Sequence, residues 1–205
     1  MESIKVNFEN LTENERNQLL KLVEKANEKQ TQLFNVNVGE TFKIGDIEFI
    51  KFADEYGVTT AVTKDIVFNS AFGNNNNFAK SDVLKKLEKE FLPKITNKIG
   101  ADNICNITTD LTTLDGLKPY GELNSHISLP TLDFYRHNVE IFDKYKVDKW
   151  WWLATPESAK PHDEPNWTLC VSPSGIIFND GYDDSDGGVR PFLRFISSIF
   201  VSYED

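Results

Sequence analysis

An α+β fold is predicted for this 205-residue chain by three observations. A helical pattern stands near the N-terminus. Segments rich in β-branched and aromatic residues begin at Gly39, and a final block of short apolar strands opens on three consecutive tryptophans, Trp150, Trp151 and Trp152. Helical and strand periodicities alternating in this way are what a sheet with flanking helices requires. The length is enough to bury a full core, and the pattern divides into a helical extension over residues 1–35 and one α+β domain over 36–205.

The first helix starts at Thr12, because Thr12-Glu13-Asn14-Glu15 fits a capping box in which hydroxyl and carboxylate satisfy amides that the first turn leaves open. Leu19, Leu22, Val23 and Ala26 make one narrow apolar stripe, so the helix is amphipathic. That stripe can pack on its own domain, pair with a second copy as a homodimer, or meet a partner; the run is too short for a coiled coil. Residues Gln30 to Val38 read as a linker.

A hairpin follows, with strands Ile47 to Phe52 and Gly57 to Thr63 around the turn Asp54-Glu55-Tyr56-Gly57. Gly73-Asn74-Asn75-Asn76-Asn77 is polar and turn-forming, and Ser81-Asp82 caps a helix that places Leu84, Leu87 and Phe91 on one face until Pro93 ends or interrupts it. Asn103 to Gly121 is weakly patterned strand and loop. His126-Ile127-Ser128-Leu129 reads as a short strand, and Thr131 caps a helix carrying Phe134, Tyr135, Val139, Phe142 and Tyr145. The final strands run Trp150 to Ala154, Trp167 to Ser172, Ile176 to Phe178 and Val189 to Phe195, with Ser172-Pro173-Ser174-Gly175 as a hairpin turn.

Strand alternation puts Trp150 and Trp152 on one face and Trp151 on the other, which gives the tryptophans a packing role. Arg190 is expected to tie the last strand to loop carbonyls or a carboxylate through its planar fork of donors. These two segments, Lys149-Trp150-Trp151-Trp152-Leu153-Ala154-Thr155-Pro156 and Gly187-Gly188-Val189-Arg190-Pro191-Phe192-Leu193, together resemble the bacterial and bacteriophage domain-of-unknown-function family 6273, whose members carry Trp-Trp-Leu-Arg-Ser-Pro and then Gly-Val-Arg-Pro-Ala-Leu. The helix at Ser81 resembles that family's Ser-x-Leu-Arg-x-Trp-Leu-x-x-x-Phe, with Lys86 where a tryptophan is usual. Ser128 to Asp133 resembles its Leu-Leu-Ser-x-Glu-Glu, so the likeness spans about residues 39 to 195. It implies a C-type-lectin-like or formylglycine-generating-enzyme-like architecture, a twisted antiparallel sheet with two flanking helices and long loops. Such folds host unrelated functions, so function has to come from a site.

The chain holds 22 basic and 32 acidic residues for a net charge of −10, and residues 150 to 205 alone hold three basic against nine acidic. Such a tail repels nucleic-acid phosphates and speeds encounter with a basic surface. No apolar run long enough for a membrane span and no signal-peptide pattern is present, so the expected compartment is the cytoplasm of a bacterial host cell. Cys105 and Cys170 lack metal-ligand spacing and read as reduced, buried thiols; they match no copper-binding cysteine pair of the formylglycine-generating enzymes. His126, His137 and His162 share no ligand spacing, and no hydrolase, zincin or phosphate-loop motif occurs, so no catalytic residue is assigned.

The acidic loop Asn179 to Gly188, with Asp180, Asp183, Asp184 and Asp186, is the candidate binding site; Asp163 and Glu164 extend it, and Tyr182 and Trp167 supply exposed rings. Calcium at Asp183, Asp184 and Asp186 is one reading, although the alternating spacing and terminal Glu of a calcium loop are missing. Otherwise no cofactor is expected. The function expected from these features is a non-enzymatic acidic protein-binding module of phage or mobile-element origin that docks on a basic host protein, for instance an anti-CRISPR-type inhibitor of a nucleic-acid-binding defence enzyme. The alternative is a lectin-like ligand- or receptor-binding module, with or without calcium.

Overall fold

The computed structural model describes residues 11–27, 30–160, 162 and 166–203, and the side chains of all of these except 21–27. The first helix, α1, spans Glu13–Asn27. Its cap is reciprocal: Thr12 N donates to Glu15 Oε2 at 2.8 Å and Glu15 N to Thr12 Oγ1 at 3.4 Å. Of the expected stripe, Leu22, Val23 and Ala26 have side chains outside the described residues.

Residues 30–38 are not a linker. Gln30–Gln32 form strand β1, a turn of 3-10 helix covers Leu33–Asn35, and Leu33 and Val36 are fully buried. The segment Gln-Thr-Gln carries no strand pattern of its own; it is held by antiparallel pairing with Phe200–Ser202. Tertiary partners override weak local preference here.

The next strands are β2 (Thr41–Ile44), β3 (Ile47–Glu55), β4 (Val58–Thr63) and β5 (Phe68–Asn69). The expected hairpin is β3–β4, closed by a two-residue turn with Tyr56 at φ 54° and Gly57 at φ 77°. Positive φ at both positions matches the strand twist, which is why glycine stands second. After the asparagine tract, Ser81 caps α2 (Asp82–Lys86), its hydroxyl accepting from Leu84 N at 3.0 Å. A π-helical turn at Leu87–Phe91 leads into α3 (Leu92–Ile99). Pro93 therefore does not end the helix. It sits in the first turn of α3, where its missing N–H costs nothing, and the wider turn before it absorbs the break.

Strands β6 (Ile107–Asp110) and β7 (Glu122–Ser125) form a separate ribbon. The strand expected at His126 to Leu129 lies outside β7. Ile127 and Leu129 are buried, yet only Ser128 makes a bridge, to Phe192, so the apolar content reflects burial and not a ladder. Thr131 caps α4 (Leu132–His137), followed by α5 (Val139–Lys144). The tail adds β8 (Trp151–Pro156), β9 (Trp167–Val171), β10 (Ile177–Gly181), β11 (Gly188–Val189), β12 (Phe192–Ile196) and β13 (Phe200–Ser202).

These strands build two larger sheets where one was expected: β1-β13-β2-β3-β4-β12, and β10-β9-β8-β11-β5. All pairs are antiparallel except β11 with β8. The segment Val189-Arg190-Pro191-Phe192 carries the chain from one sheet to the other, since Val189 pairs with Phe68 and Phe192 with Val62. The central strands β3, β4, β8 and β9 carry buried side chains on both faces. One core gathers Phe42, Phe49 and Phe195 with Trp152, Cys170 and the helical Leu84, Leu87 and Phe91; the other gathers Ile50, Phe52 and Val62 with Trp151, Leu153 and the α4–α5 residues Tyr135 and Phe142. Among the described residues no helix is long and apolar enough to cross a membrane.

Candidate functional site

The tryptophan run divides as its alternation requires. Trp152 is fully buried in the first core, 5.5 Å from Phe72 and 4.7 Å from Trp150 between ring centres, while Trp151 stacks on Phe142 in the second. Arg190 is a buried structural cation. Its Nε donates to Thr63 O at 3.2 Å and its Nη2 to Lys64 O at 2.8 Å, and its guanidinium lies over the rings of Trp151 and Phe142. Burial pulls its pKa down to about 10, so it stays charged at neutral pH. Thr63 N also donates to Pro191 O at 3.0 Å, so the crossover between sheets is stitched on both sides to the end of β4.

The same crossover anchors the acidic loop. Gly187 O accepts from Ser70 N at 2.9 Å, and Ser70 O accepts from Trp152 Nε1 at 2.9 Å. A Cβ at Gly187 would stand 1.9 Å from that indole nitrogen, and one at Gly188 would stand 2.8 Å from Trp150 O. Close approach to the buried tryptophan is what these two glycines provide.

From that fixed end the loop folds back along β10. Asp180 is half-buried and accepts from Gly181 N at 2.7 Å; Asp184 is half-buried and accepts from Asp186 N at 2.8 Å; Asp183 and Asp186 are exposed. Register places Gly181 opposite Trp167, and Tyr182 N donates to Asn166 O at 3.1 Å, so Trp167 stands beside the acids. Trp167 is 43% exposed. Tyr182 is not the exposed ring expected: it is half-buried against the first core, because its carbonyl is held by Gly73 N at 3.1 Å. Asp163 and Glu164 lie outside the described residues. Glu157, which the sequence did not single out, joins the rim through a hydrogen bond from Asn179 Nδ2 to its Oε1. Among the described residues none of Asp180, Asp183, Asp184 and Asp186 is in an ion pair, and no three His, Cys, Asp or Glu side chains are grouped to hold a metal.

Two features were not legible in the sequence. Asn76, inside a tract that reads as a solvated turn, is fully buried; its Nδ2 donates to Ser158 O at 2.9 Å and Trp167 O at 3.0 Å, and its Oδ1 accepts from Tyr120 OH at 2.8 Å. Nearby, Asp115 is the hub of a serine–histidine cluster. Ser158 Oγ and His162 Nδ1 both reach Asp115 Oδ2 at 2.8 Å, and Thr113 Oγ1 donates to Oδ1. The Thr113 hydrogen bond, against a smaller burial cost and with help from His162 and Ser158, holds the Asp115 pKa at about 2. The connectivity differs from that of a hydrolytic triad, because the serine donates to the carboxylate and not to the imidazole. His137 Nδ1 is engaged by Asp133 O at 2.7 Å.

A cleft of about 860 Å³ lies between α2–α3 and the β2–β3 and β4–β5 connections, and a second of about 560 Å³ adjoins it at Asn69, Lys86 and Glu90. Beside these clefts Lys64 pairs with Glu48, Lys85 with Asp82, and Lys86 donates to Ser70 Oγ. Among the described residues the loop acids have no ion-pair partner, and their rim is the candidate docking surface. Compared with family models, curated proteins and solved structures, the chain matches none.

Proposed function

We propose that the rim formed by β10 and the acidic loop docks on a basic surface of another protein, and that the chain is a non-enzymatic binding module. The observation that carries this is the placement on one edge of four carboxylates that have no ion-pair partner among the described residues and of the exposed Trp167, with the loop clamped to the core through Gly187. An aromatic ring beside desolvatable acids is the composition of an interface anchor, and the held carboxylates act as a fixed field that steers encounter. The finer reading, which rests on the resemblance of the sequence segments to family 6273, is a lectin-like fold with an amphipathic N-terminal helix, phage or mobile-element origin, a cytoplasmic setting, and an inhibitor that occupies a positively charged groove. The test is retention of partners on the tagged protein at low and high salt, with Asp183, Asp184 and Asp186 changed together to Asn. Capture that is lost at high salt and lost in the variant supports the reading; capture unchanged in the variant overturns it.

The exposed Trp167 also favours a second reading, a lectin-like module that stacks a sugar on that ring, with or without calcium. A melting shift on adding calcium or a glycan would support it, and no shift with either would remove it.

A further inference from the structure

We infer that β10 is an open sheet edge to which a basic, extended segment of a partner protein adds as a further strand. The inference rests on the proposed acidic docking reading and specifies how contact is made. Two hydrogen bonds fix the parity of the β9–β10 ladder: Tyr182 N donates to Asn166 O at 3.1 Å and Ser172 N to Ile176 O at 2.9 Å. Hydrogen-bonded pairs alternate in an antiparallel ladder, so the even-numbered residues of β10 face β9 and Ile177, Asn179 and Gly181 turn their backbone groups outward. Gly181 is already used, its N–H by Asp180 Oδ1 and its carbonyl by Asp184 N at 3.0 Å. Ile177 and Asn179 are left, two residues apart, each with an outward N–H and C=O.

The other long edge is treated differently. Strand β12 is covered by Cys105 N on Arg194 O at 2.8 Å and by the two bonds that Ser128 and Phe192 exchange. Among the described residues nothing covers β10 in this way. Its lower end exposes Ile176 and Ile177, at 66% and 37%, and its upper end leads into the four loop carboxylates. Apolar contact below, ladder groups in the middle and acids above fit an extended strand with alternate apolar and basic side chains. A second copy of this chain is the poorer occupant, because pairing β10 with itself would bring two such acidic clusters together in a chain of net charge −10.

The test uses the full chain and a short synthetic peptide of alternating lysine and valine, with two controls: the same peptide N-methylated at alternate amides, which keeps its charge but blocks the ladder, and a glutamate–valine peptide. Fluorescence anisotropy gives affinity, and NMR hydrogen exchange reads the amides of Ile177 and Asn179. The expected result is salt-sensitive binding of the lysine peptide, protection of those two amides, and a loss of about tenfold or more on N-methylation. Equal, salt-sensitive binding of the methylated peptide overturns strand addition while the acidic docking reading stands. No salt-sensitive binding by either lysine peptide overturns both. Protection of the same amides that rises with protein concentration alone makes a second copy the occupant and overturns the basic-segment inference.

Discussion

Replacing Gly187 by alanine tests whether the acidic loop is fixed by the buried tryptophan. The added Cβ would lie 1.9, 2.2 and 2.7 Å from Nε1, Cε2 and Cζ2 of Trp152. Ordinary contact lies near 3.5 Å, so the ring and the loop must part by about 1.5 Å. Trp152 has no free side to move toward, with Phe72 and Trp150 against it and its Nε1 bonded to Ser70 O. Overpacking of this kind costs about 1–3 kcal/mol. Pulling the indole N–H from its carbonyl adds about 1–3 kcal/mol, for a total near 4 kcal/mol. At about 2–4 °C per kcal/mol for a chain of this size, the Tm should fall by roughly 8–16 °C. Melts followed by tryptophan fluorescence and near-ultraviolet circular dichroism measure it. Gly181→Ala is the control: its Cβ would meet only Asp183 Oδ1, the end of an exposed side chain, and should change stability by less than about 0.5 kcal/mol. A Gly187→Ala protein that melts within about 2 °C of the parent would refute the contact.

Asn76→Ala strands the carbonyl of Ser158 and the hydroxyl of Tyr120, while the Trp167 carbonyl keeps its bond from Glu157 N, and should lower stability in urea by about 2–4 kcal/mol; an unchanged midpoint would mean water replaces the amide. Asp115 has a folded pKa of about 2, below its ordinary value, so its contribution is full above about pH 4 and is lost as pH falls toward 2. The stability gap between the parent and Asp115→Asn should therefore close over that window, and a gap constant down to pH 2 would reject the hub. Cys170 is fully buried, with its thiol pushed up by burial, while Cys105 is half-buried. A thiol reagent should find Cys105 first and Cys170 only after denaturant; two equally fast thiols would contradict the packing.

The α+β class, the β3–β4 hairpin, the caps at Thr12, Ser81 and Thr131 and the opposite faces of Trp151 and Trp152 were legible because each is decided within a few residues. What escaped depends on distant partners. Gln30–Gln32 becomes a strand only against Phe200–Ser202, and Asn76 is buried only because residues 158 and 167 close over it. Arg190 and Pro191 could be marked as special, yet that they carry the chain between two sheets follows only from the pairing of Val189 and Phe192. At the candidate site the four loop acids were marked and Trp167 was rightly expected to be exposed. Tyr182 was misjudged, since nothing local reports that its carbonyl is held by Gly73.

The unlike neighbours of Trp151 and Trp152 set a condition on β8 that neither ring sets alone. Sliding the strand one residue along β9 would exchange its faces, presenting the Trp152 indole to the guanidinium of Arg190 and the Trp151 ring to Ser70, where its partners do not fit. Each ring thus vetoes the misregister that the other core might tolerate. The strand is keyed like a two-sided latch, and the loop that ends in Gly187 and Gly188 inherits its position from that latch. A mutation in either core that loosens β8 should therefore be felt at the acidic rim.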